Sequence, residues 1–183
     1  IPLTLKMDKK KVEREYVPEF VYGALDGAIT TFAIVSGAIG ASLSSAIVLI
    51  LGFANLFADG FSMAISNYLS TKSQNDLLTK HKHPHFHIRN PKKTALATFA
   101  AFVIIGFIPL LSFVLSLFIP ALQESQFTYS ILLTAVAFLI IGYNKARITE
   151  KGKARSCLET LVVGGIAALI AYGVGFFLRG LVG

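Results

Sequence analysis

Five stretches of the chain are long, apolar and nearly free of charge: roughly residues 18–41, 45–70, 94–118, 128–143 and 158–178. A helix rises 1.5 Å per residue, so about 20 residues cross a hydrocarbon core of about 30 Å. The stretch at 128–143 is short and is expected to begin nearer Gln126. Pro109 interrupts the third stretch and should kink it, because proline has no N–H to donate and its ring crowds the preceding turn. The polar positions between these stretches form short blocks. This pattern predicts an all-α integral membrane protein: one transmembrane domain over 1–183 with five transmembrane helices per protomer. The longest connection is a basic loop at 71–93.

Composition agrees. Hydrophobic residues make up 54% of the 183 and charged residues only 15%, and the mean hydropathy is +0.67. A soluble domain of this size needs a more polar surface. The net charge of +7 does not point to nucleic acid, because the basic residues flank apolar runs instead of forming a face. They report orientation. Lysine and arginine crowd the N-terminal block "KMDKKKVERE", the loop with Lys72, Lys80, Lys82, Arg89, Lys92 and Lys93, and the loop with Lys145, Arg147, Lys151, Lys153 and Arg155. The connections at 42–44 and 119–127 carry none. The N-terminus and both basic loops are therefore expected in the cytosol, and the C-terminus on the opposite side. The one cysteine, Cys157, excludes an internal disulfide. The first apolar run is too long for a cleavable signal peptide. No activated nucleophile or cofactor fingerprint points to an enzyme.

A charged residue at bilayer depth costs about 3 kcal/mol or more, yet Asp26 and Asp59 interrupt the first two spans. In the second span Asn55, Asp59, Met63 and Asn67 recur every four residues and share one slowly winding face, with Ser62, Ser66 and Ser70 beside it. In the first, Asp26 and Thr30 are also four apart. Such stripes must face each other, a partner subunit or a water-filled path. Gly23 and Gly27 form a GxxxG pair that lets helices pack backbone to backbone. Two carboxylates and a thioether on facing helices suit a divalent transition metal, since sulfur disfavours Mg²⁺ and Ca²⁺. Burial favours the protonated form of a carboxyl group, and an arriving cation displaces that proton. This gives proton–metal exchange a physical basis. Blander readings stay open. Asp59 or Asp26 could simply bond to a neighbouring helix, Met63 could be packing, and Glu19 could be an ordinary interfacial charge instead of an entry residue.

The two stretches "YGALDGAITTFAIVSGAIGA" and "ILGFANLFADGFSMAISNYLS" together resemble the first two helices of the vacuolar iron transporter family, over about residues 19–73. The resemblance implies a homodimer that exports Fe²⁺, and often Mn²⁺, from the cytosol in exchange for protons. It implies that Asp26 and Met63 hold the metal within the membrane, two copies of each meeting at the dimer axis. Two departures stand out. Where the family has Gly-Glu before a helix-two tyrosine, this chain has Ser66 and Asn67 before Tyr68, so either the site is less anionic or Asp59 compensates. The family's glutamate-rich module between helices two and three is absent, and Asp76 is the sole acid of the 71–93 loop.

That loop contains "HKHPHFH". Pro84 favours an extended chain, so His81, His83, His85 and His87 share a side and could bind a transition metal at the cytosolic entrance. The alternative is a solvated basic loop whose histidines do nothing specific. The expected path residues are Glu19, Thr30, Asn55, Ser62 and Asn67; the expected metal ligands are Asp26, Met63 and Asp59. No fixed cofactor is expected, because the cation is cargo. The expected partners are lipid, divalent metal ions, protons and a second copy of the chain, with no nucleic acid. A non-transporting metal-binding regulator and a passive cation channel are the competing readings. The short chain without a targeting segment points to a prokaryotic plasma membrane, with a vacuolar or other organelle membrane as the alternative.

Overall fold

The computed structural model describes residues 9–80, 88–150 and 152–182. Among these the ordered elements are six α-helices and one short 3₁₀ turn. They are α1 (Lys9–Gly40), α2 (Ser45–Lys80), α3 (Pro91–Gly106), α4 (Ile108–Ser116), α5 (Gln126–Thr149) and α6 (Lys153–Val182), with the turn at Pro120–Leu122. Four helices are long and apolar enough to cross a membrane. The α3–α4 pair, bent by 44° at its break, passes the same test when taken together, which gives up to five candidate spans. Pro109 opens α4 and cannot donate to the turn before it. Ser130 Oγ donates to the Pro109 carbonyl at 2.6 Å, so α5 closes over the break.

The helices outrun the apolar stretches. α1 starts nine residues before Pro18, and the proline sits inside it at the loss of one backbone hydrogen bond. The segment expected to be a loop from residue 71 is helical as far as Lys80, and α3 starts at Pro91. Hydropathy marks where the bilayer ends, whereas a polar helix continues freely into water. The side chain of Asn90 accepts from the backbone N–H groups of Lys92 and Lys93 and caps α3.

α1 is the central helix and touches each of the other five, most extensively α3 and α6. Its glycines explain the closeness. A Cβ added to Gly23 would overlap the Thr98 carbonyl oxygen, and one added to Gly27 the Phe102 carbonyl oxygen, both on α3. On α6, a Cβ at Gly175 would overlap the Gly37 carbonyl. Small residues thus bring backbones together where no hydrophobic driving force exists between apolar helices and lipid. The core fills around this axis with Phe32, Val35, Leu56, Phe102, Leu110 and Phe113. Gln126 ties the far ends of three helices, donating to Ser45 Oγ and accepting from Ser116 Oγ.

Candidate functional site

α1 carries Glu19, Tyr22, Asp26 and Thr30 at spacings that keep them on one side of the helix. The glycine seam with α3 leaves this side turned towards α2. Thr30 Oγ1 donates back to the Asp26 backbone carbonyl at 2.8 Å. Asn55 Nδ2 of α2 donates to Thr30 Oγ1 at 3.5 Å, a long bond that joins the polar stripes of the two helices. Asp26 and Asp59 lie within each other's electrostatic reach, like charges that repel. Both are partly buried. α2 is held in place by Leu56 and Gly60, the latter against Phe99 and Phe102 of α3.

One turn further along α2, Met63 packs partly against the core and lines an open cleft of about 310 Å³ with Tyr22, Ser62, Ser66, Asn67 and Ser70. Asp26 and Asp59 are not part of this lining. Within one chain, therefore, the structure links the two polar stripes through Thr30 and Asn55. It places Met63, Ser62 and Asn67 in an adjoining cleft. Among the described residues no three His, Cys, Asp or Glu side chains come together. Tyr22 is the lining residue that the sequence reading overlooked, although its place four residues before Asp26 put it on the same stripe.

Glu19 sits at the end of the bundle that carries the α2–α3 connection. It is 7% exposed, and Arg89 Nη2 donates to its Oε2 at 2.6 Å. It is thus neither a free surface charge nor an open ligand. His81, His83, His85 and His87 lie outside the described residues.

The VIT family profile matches residues 17–85 and 78–176 of the chain. The chain belongs to the VIT family. Its relatives include a vacuolar iron transporter of Toxoplasma gondii, 25% identical across 97% of this chain and 79% of the relative. That of Plasmodium berghei is 26% identical across 92% of this chain and 84% of the relative. Vacuolar iron transporter 1 of Arabidopsis thaliana is 28% identical across 86% and 84%. The alignment to the Toxoplasma protein covers 239 positions, more than this chain's 183 residues, so the relative has stretches with no counterpart here. The two profile matches meet at 78–85, where α2 ends. Both facts fit an insertion in the relatives at this connection, which this VIT-family chain lacks.

Proposed function

We propose that this VIT-family chain exports a divalent transition metal, Fe²⁺ or Mn²⁺, from the cytosol in exchange for protons. The observation that carries the reading is the meeting of two polar stripes on two membrane-spanning helices, through the Asn55–Thr30 bond, each stripe carrying one aspartate, Asp26 and Asp59. Ionisable groups in such a position mark ion paths. The named activity of the relatives supports the metal as cargo.

The transporting unit in this reading is a homodimer. α2 exposes a ladder of small residues every four positions, Ala54, Ala58, Ser62, Ser66 and Ser70, beside the polar stripe. Hydroxyls and carboxylates are poorly matched to lipid, whereas small residues suit helix–helix contact. A second copy packed there covers the ladder and brings two Asp26 and two Met63 side chains to one place. Two carboxylates then balance one divalent charge, and the thioethers add the softness that excludes Mg²⁺. Each carboxyl group exchanges a proton for the cation. The N-terminus and the basic connections lie in the cytosol. The relatives' names favour an organelle membrane over the prokaryotic plasma membrane expected from the sequence.

The test is reconstitution into liposomes with a metal dye and a pH dye inside, challenged with Fe²⁺, Mn²⁺, Co²⁺ and Zn²⁺. Metal entry with opposing proton flux supports exchange. Metal entry indifferent to the proton gradient identifies a passive channel. Metal binding without entry identifies a regulator.

A further inference from the structure

We infer that the groove between α1, α5 and α6 is a phospholipid site: one acyl chain fills it, and the lipid phosphate sits on Arg179. The groove has a volume of about 410 Å³, within the range of ligand cavities. Its walls are Phe32 of α1, Phe127 and Ile131 of α5, and Leu169 and Tyr172 of α6, with Gly165 at the end farthest from Arg179. All three helices are candidate membrane spans. Ile131, Leu169 and Tyr172 are exposed, so the groove opens outwards from the bundle, where the surroundings are hydrocarbon.

The groove leads to a solitary cation. Arg179 follows Tyr172 by seven residues, two turns of α6, which keeps it on the same face and about 10 Å nearer the helix end. Its Nη1 donates to Ser42 Oγ in the turn after α1, so the guanidinium lies where the α1 and α6 walls leave the bundle. Among the described residues no carboxylate pairs with it, and it is the only lysine or arginine at the end opposite the basic connections. Such residues avoid that end of a membrane protein, so one that stands there calls for an anion. The N–H groups not spent on Ser42 match a phosphate. The lengths agree as well. Fourteen residues separate Gly165 from Arg179, about 21 Å of helix, and half a bilayer with its headgroups is about 20–22 Å thick. A phospholipid with its phosphate at Arg179 therefore reaches the far end of the groove with its chain. A second copy of the chain fits this place less well. In the proposed homodimer, the reading on which this point rests, the copies meet on α2, which packs on α3, α1 and α4 with no comparable contact to α6. The groove faces lipid in the dimer too.

Native mass spectrometry of the purified full chain in detergent, titrated with dioleoylphosphatidylglycerol and with diolein, tests this. The two lipids carry the same chains and differ in the phosphate headgroup. The unaltered chain should bind one phosphatidylglycerol per protomer, about fivefold or more tightly than diolein. Arg179→Gln should erase that preference and bind diolein as before. Gly165→Leu should weaken both lipids by about tenfold or more, because its side chain takes the place of lipid methylenes. A Cβ at Gly165 meets no heavy atom within 4 Å, so the fold accommodates the change. Equal affinity of the unaltered chain for the two lipids overturns the proposal, whatever the variants do. Phosphatidylglycerol binding that Gly165→Leu leaves intact would put the lipid on Arg179 alone and also overturns it. Loss of the dimer in Gly165→Leu, read in the same spectra, would make the groove a subunit interface and overturn it too. The readout is lipid binding, so a chain that moves no metal would refute the transport reading and leave the lipid site standing; metal flux without the headgroup preference would do the reverse.

Discussion

Replacing Gly27 by alanine should destabilise the protein by about 1–2 kcal/mol, although alanine is the better helix former by up to about 1 kcal/mol. The new Cβ would overlap the Phe102 carbonyl oxygen and stand 3.0 Å from both its carbonyl carbon and its Cα. Ordinary contact begins near 3.4 Å, so α1 and α3 must part by at least about 0.4 Å, and by more at the oxygen. The obstacle is backbone and cannot rotate away as a side chain would. An opening of about 0.5–1 Å forfeits a quarter to a half of each contact along the seam, and overpacking of this kind costs about 1–3 kcal/mol. Gly173→Ala is the matched control. It has the same gain in propensity, but no heavy atom lies within 4 Å of the new Cβ, so it should be neutral or stabilising. Reversible unfolding in mixed micelles reads both. If Gly27→Ala proves as stable as Gly173→Ala, the two backbones do not touch and the account of why α1 is central fails.

Three further outcomes are expected. Ser130→Ala should cost about 1 kcal/mol in the same unfolding assay, because it removes the bond by which α5 holds the Pro109 carbonyl of α4; a neutral result would mean that this bond does not help to hold the two helices together. Asp59→Asn should slow metal flux by about tenfold, less than Asp26→Asn, since it removes a neighbouring charge and leaves the Asp26 carboxylate in place; equal losses would make Asp59 a ligand of equal standing. Asn67→Glu adds a carboxylate to the Met63 cleft and should lower the KM for Mn²⁺ by about threefold or more. An unchanged KM would place that cleft off the cation's route.

The spans were legible because hydropathy reports the bilayer directly. Pro109 announced its bend through chemistry that any helix obeys. The helix ends were not legible. Residues 71–80 are polar and read as loop, yet nothing in them stops a helix that water can solvate. Gly23 and Gly27 declared that some backbone comes close, but no pattern in Thr98 or Phe102 named α3 as the partner. The four-residue spacing puts Asn55, Asp59, Met63 and Asn67 on one face of α2. It winds, however, so its two halves have different surroundings: Asn55 bonds to Thr30 of α1, whereas Met63 and Asn67 line an open cleft that Tyr22 of α1 also borders. The Glu19–Arg89 pair joins residues 70 apart, a distance over which periodicity carries no information.

The most direct test of the central claim is metal and proton flux through Asp26→Asn, reconstituted beside the unaltered chain and matched for thermal stability. Removing one of the charges that balance a buried cation costs about 3 kcal/mol or more, which corresponds to a loss of about 100-fold or more. The expected result is that metal entry and its opposing proton movement disappear together while the fold persists. Undiminished metal entry with its proton counterflow intact would show that the cation and its protons exchange somewhere other than on this acid of α1.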